Sequence, residues 1–188
     1  MQTWIILAIL AAAVIYVAAL FNRLVRLRNM MREGWSGIDV QLKRRTDLVP
    51  NLVETVKAYA AHERGVLAEV TAMRASSMAA SDVGSQASAA RGLQASLGKL
   101  MAVAEAYPEL KADKNFLTLQ QQLAETEDQL QMARRYYNGT VRNLNIAAQS
   151  FPASLLAGLL GFREEPYFEL DDRSEAAAPN VAFPAPKT

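Results

Sequence analysis

Residues 3–21, TWIILAILAAAVIYVAALF, carry no charged side chain and nothing more polar than Thr3 and Tyr16. Nineteen helical residues rise about 28 Å, close to the roughly 30 Å hydrocarbon core of a bilayer. Trp4 sits at one end, where an interfacial aromatic is favoured. No Lys or Arg precedes the stretch, whereas Arg23, Arg26, Arg28 and Arg32 follow it. Basic juxtamembrane residues stay in the cytoplasm, so the sequence predicts a single-pass helix with a short outer N-terminus and a cytoplasmic remainder. A cleaved signal peptide is the rival reading, with Val17-Ala18-Ala19 as a loose cleavage site. It is disfavoured, because a positive n-region is missing and the downstream arginines oppose translocation.

Beyond the apolar stretch, steps of three and four residues from Phe21 trace a heptad seam as far as Met73. Arg28, Arg45 and Glu63 alone interrupt its apolar run. Pro50 lies inside this pattern, within QLKRRTDLVPNLVETVKAYAAHE, residues 41–63. Proline removes the bond to the Thr46 carbonyl and crowds that turn. A true break would let the second half choose a new phase, with Asp47 as its cap and Pro50 in its first turn. The seam keeps its phase, so a kink at Thr46, Asp47 and Pro50 in one continuous helix is the favoured reading. Lys43, Arg44 and Arg45 read as a solvated face paired with Asp39 and Asp47.

Residues 76–88, SSMAASDVGSQAS, read as a flexible loop. A shorter helix is expected over Ala89–Ala106, ended by Tyr107-Pro108, with a connection from Pro108 to Asp113. From Phe116 to Phe151 every seam position is apolar or Thr, predicting a helix of about 54 Å. Such seams must be buried against one another. The expected fold is therefore all-α: the transmembrane helix continues into a long antiparallel bundle of three main helices, the first kinked near Pro50, plus a short C-terminal helical segment. The strict 3.5-residue period predicts left-handed supercoiling. The expected division is an anchor over 1–22, a cytoplasmic bundle over 23–170 and a disordered tail over 171–188, rich in Pro, Ala and charge. FPASLLAGLLGF, residues 151–162, is too short to span a bilayer and reads as packed on the bundle, or lying on the bilayer or a neighbouring subunit.

No catalytic constellation is expected. The chain has no cysteine, which excludes disulfides, thiolate metal sites and cysteine nucleophiles. His62 is the sole histidine; His62-Glu63-Arg64-Gly65-Val66 puts Val66 where a zinc protease needs its second ligand. His62 reads as a surface helical residue. Glu125, Glu127 and Asp128 read as a solvated face. No cofactor, metal or nucleic acid is expected. Asn138, Arg142, Asn143 and Asn145 make the last helix polar beside its seam, as interhelical hydrogen-bond partners or as a face for a partner protein.

The chain resembles the LemA family of bacterial membrane proteins from the apolar stretch to Phe168. The resemblance is carried by Trp35-Ser36-Gly37-Ile38-Asp39-Val40-Gln41-Leu42-Lys43-Arg44-Arg45, by Asp47-Leu48-Val49-Pro50-Asn51-Leu52-Val53-Glu54-Thr55-Val56, by Ala133-Arg134 and Tyr137-Asn138, and by Phe151-Pro152, Gly161-Phe162 and Tyr167-Phe168-Glu169. Where the family often has a second Tyr-Asn pair, this chain has Leu144-Asn145. The resemblance implies an inner-membrane, single-pass protein with a cytoplasmic helical domain, and supplies no catalytic residues. The expected function is a non-enzymatic, self-associating scaffold in contact with the lipid bilayer. An adaptor for a membrane protein partner, such as a protease or envelope-signalling component, is the alternative.

Overall fold

A computed structural model of the chain describes residues 1–169, and the expected tail over 171–188 lies outside them. Among the described residues the regular elements are helices, without a strand. Helix α1 spans Gln2–Tyr59, α2 Arg64–Ala79, α3 Val83–Glu105, α4 Pro108–Ala112 and α5 Lys114–Gln149, followed by a 3-10 turn at Ala153–Leu155. At 58 residues, α1 is about 87 Å long. It runs without interruption from the apolar stretch through Pro50, as one continuous element rather than a helix restarted at Asp47.

The seam does not continue to Met73 in one helix. The chain leaves α1 at Ala60, turns through 60–63, and returns as α2 against the distal half of α1. His62 therefore lies exposed in a turn and not on a helix. Of the seam positions flanking this reversal, Val56 and Val70 are buried in one core and Val66 and Met73 pack against it, whereas Tyr59 is exposed. Periodicity reports which side chains point inward, and is silent on whether the chain has turned round.

Helix α3 starts six residues before the expected Ala89, and the loop shrinks to 80–82. Asp82 accepts a hydrogen bond from the Ser85 backbone N–H at 3.0 Å, and the Ser85 hydroxyl accepts from the Asp82 N–H at 3.2 Å. This reciprocal capping satisfies two orphan donors and starts the helix in polar sequence. Ala87, read as loop, is buried, so this small residue serves close packing. Part of the expected connection 108–113 is the short α4, with Pro108 in its first turn. Asp113 then caps α5, accepting from the Phe116 N–H at 2.9 Å.

Helices α1 and α5 lie antiparallel along the bundle. Gly34 permits their closest approach: a β-carbon there would stand 3.1 Å from the Tyr137 Cα. The core divides into two clusters. One joins Leu20, Leu24, Ile38, Leu130, Tyr137 and Leu144 near the apolar stretch; the other joins Val49, Leu52, Val56, Leu93, Leu100 and Phe116 at the far end. Each fully buried Leu or Phe contributes on the order of 1.5–3 kcal/mol relative to exposure.

Candidate functional site

Between the two clusters lies a polar belt built around the consequence of Pro50. The Thr46 carbonyl, deprived of its helical donor, accepts from Arg74 Nε of α2 at 2.9 Å. The distortion imposed by proline is thus satisfied inside the fold, by a residue 28 positions along the chain. The buried hydroxyls of Thr46 and Thr126 donate to their own helices, to the Lys43 and Gln122 carbonyls. Lys43 pairs with Asp47 on the surface, as expected, and Arg44 is exposed.

Arg45 departs from the expected solvated face. Its side chain is 3% exposed, and its Nη2 lies 3.3 Å from Glu127 Oε2. Glu127, expected on a solvated face with Glu125 and Asp128, is this buried cation's partner. Burial lowers the Arg45 pKa and the Glu127 charge opposes that shift. Among the described residues, Arg45 Nε and Nη1 have no hydrogen-bond partner. A groove of about 570 Å³, lined in part by Leu97, Met101 and Leu123, opens over the pair.

The second constellation lies at the other end of α5. Asn138 and Asn145 occur two helical turns apart and grip the backbone of an extended strap, residues 163–169. Asn138 accepts from the Phe168 N–H at 2.9 Å and donates to the Phe168 carbonyl at 3.1 Å. Asn145 does the same with Glu165, at 3.0 Å for both bonds. Seven helical residues rise about 10.5 Å, and three extended residues cover about 10 Å, so the two repeats match. The Tyr137 hydroxyl donates to the Pro166 carbonyl at 3.0 Å, and burial pushes its pKa up to about 12. These grips drive Phe168 into the core, where its ring stands 5.9 Å from Trp35, itself 5.4 Å from Tyr137. The asparagines thus bond a returning strap rather than a neighbouring helix, and Arg142 and Asn143 stay exposed.

The third region lies where the apolar stretch ends. Arg23, Arg26 and Arg32 are exposed, whereas Arg28 is half-buried with its guanidinium 4.6 Å above the Phe162 ring. Segment 151–162 packs one side on the bundle through Ala153, Ala157 and Phe162. Among the described residues, no group of three or more His, Asp or Glu side chains converges to hold a metal.

The sequence model of the LemA family matches residues 34–183. The chain belongs to the LemA family. The match takes in the Arg45 belt, Pro50 and both asparagine clamps, and begins after the apolar stretch. This LemA-family chain is similar to the magnetosome proteins MamQ 1 and MamQ 2 of Paramagnetospirillum magneticum strain AMB-1, each 25% identical across 84% of this chain and 69% of the relative. It is also similar to the magnetosome protein MamQ of Magnetospirillum gryphiswaldense strain MSR-1, 24% identical across 79% of this chain and 64% of the relative. Helix α1 is long and apolar enough to cross a membrane, and its apolar turns are almost wholly exposed. The chain is a membrane-associated helical protein of this family.

Sequence reasoning missed Arg74, the role of Glu127, the close approach at Gly34, and the strap as the object gripped by Asn138 and Asn145. Of these, only the seven-residue repeat of Asn beside a seam position, Tyr137-Asn138 and Leu144-Asn145, was a visible signal.

Proposed function

We propose that the chain is a non-enzymatic scaffold that self-associates at the bacterial inner membrane and organises membrane or protein assemblies. Its N-terminus lies outside and its bundle in the cytoplasm, the orientation favoured by Arg23, Arg26, Arg28 and Arg32. One observation carries the self-association. Along α5, Met132, Tyr136 and Ile146 are about half exposed, at heptad-like spacing that also includes Gly139 and Asn143, with the inner side of the Tyr136 ring resting on Gly34 of α1. Exposed Arg142 borders this stripe. An apolar stripe with a polar margin on a long helix is the shape that a second helix covers. The likeness to magnetosome proteins supports a membrane-associated role.

The adaptor reading uses the same face, with Arg142 and Asn143 contacting a membrane protein. Photocrosslinking residues placed at Tyr136 and Ile146 in native membranes separate the two. A scaffold yields adducts at twice the mass of this chain, reduced by Met132→Glu. Adducts with a different protein, and none between copies, establish the adaptor and refute the scaffold.

A further inference from the structure

We propose that segment 151–162 is a second membrane contact, a foot whose Phe151, Leu155 and Leu159 enter the boundary between headgroups and acyl chains where α1 leaves the bilayer. The proposal rests on the reading that residues 3–21 span the bilayer, and it adds a separate element, over a hundred residues later in the chain, to the membrane contact.

Packing fixes the height of the foot. The Phe162 ring stands 6.1 Å from the ring of Phe21, the last residue of the apolar stretch. Ala153, Ala157 and Phe162 share a buried cluster with Leu20 and Leu24 of the same helix. A segment held against residues 20–24 lies at the level where the spanning helix emerges. Its opposite side is apolar and uncovered: Phe151 is 82% exposed, Leu155 67% and Leu159 86%. This surface lies beside the exposed apolar flank of α1, which includes Phe21.

The backbone suits the same environment. A segment entering the acyl boundary gains by bonding its own peptide groups, because the hydrocarbon beneath offers them no partners. Here the Ser154 and Ala157 N–H groups donate four residues back, to Ser150 and Ala153, and Leu160 donates to Leu156. The last turn closes with Phe162 N–H donating to Ala157 at 2.9 Å and Gly161 N–H to Gly158 at 3.2 Å. Gly161 has φ +77°, the left-handed position of this closing motif, and Phe162 is thereby turned inward. Much of the backbone is thus bonded within the segment, while Phe151, Leu155 and Leu159 face out. Arg23 and Arg26, exposed one turn beyond the apolar stretch, suit anionic headgroups at this height. A self-bonded apolar loop beside a spanning helix and its arginines fits a bilayer rather than a second protein surface.

Because the chain lacks cysteine, single labels are placed without background. The full chain is reconstituted in vesicles of phosphatidylcholine and phosphatidylglycerol, with nitroxides at Leu155→Cys or Leu159→Cys. Ala13→Cys serves as the reference in the spanning segment and Gln129→Cys as the reference on the exposed face of α5. Collision with membrane-soluble oxygen and water-soluble nickel complex is then compared. The foot predicts several-fold lower nickel access at 155 and 159 than at 129, with oxygen access raised towards that of 13. Nickel access at 155 and 159 matching that at 129, with 13 still protected, overturns the foot and leaves the spanning helix intact. Nickel access at 13 overturns the spanning reading and the foot with it. Protection of 155 and 159 from both reagents, with spin–spin broadening between copies, makes this face a self-contact and overturns the membrane assignment.

Discussion

Replacing Phe168 with Ala lowers the stability of the bundle by about 3–5 kcal/mol, the range for deleting a buried aromatic side chain. Phe168 is fully buried beside Trp35, although its chain segment belongs to no helix. The strap reaches that position because Asn138 and Asn145 meet backbone donors and acceptors that would otherwise lie unpaired along α5. Truncating Asn145, which is buried, leaves the Glu165 peptide unsatisfied at a cost of about 1–3 kcal/mol. Asn143→Ala, at an exposed position on the same helix, stays within about 0.5 kcal/mol of the parent. Urea unfolding in mild detergent measures all three, and amide exchange of residues 163–169 shows whether the strap has come loose. An unfolding midpoint unchanged by Phe168→Ala would remove the strap from the account of the fold.

The buried ion pair gives the second large effect, with a characteristic asymmetry. Glu127→Ala leaves the Arg45 guanidinium buried without its counter-charge. Breaking a buried pair in this way costs about 3–5 kcal/mol, and the partial exposure of Glu127 places the expected loss near the lower end. Arg45→Leu removes the desolvated charge and leaves a carboxylate that is 26% exposed and accessible to water. It is therefore the milder single change. The double variant Arg45→Leu, Glu127→Leu equals the parent or exceeds it, since well-packed apolar side chains replace such pairs at no net loss. A double-mutant cycle of Arg45→Leu, Glu127→Leu and the two combined, by the same unfolding measurement, decides the point. A loss in the double variant equal to the sum of those for Arg45→Leu and Glu127→Leu would mean that the two residues act independently.

The helical class, the apolar stretch and the extent of α5 were legible because each rests on a one-dimensional repeat. The seam from Phe116 ends two residues past the helix, with Phe151 outward. Pro50 was legible in part: the missing donor to Thr46 followed from proline alone, whereas retained phase, which also spans the reversal at 60–63, does not by itself tell a continuous helix from a new one. The donor's replacement by Arg74 was not legible, because the reversal at 60–63 that brings α2 back is invisible to a period common to both helices. Arg45 was misread for a related reason. A charge on a seam is either solvated or paired in the core, and the choice depends on Glu127, on another helix. The loop expected over 76–88 followed composition, whereas the Asp82–Ser85 capping pair and the buried Ala87 set the outcome.

The claim that most needs testing is self-association through a bundle fixed to the membrane. Mass measurement of the purified full-length chain in mild detergent, by light scattering across protein concentrations, tests it most directly. Oligomers of defined mass that dissociate on dilution, and that Met132→Glu disrupts without loss of helical content, are the predicted result. A strict monomer at every concentration contradicts it.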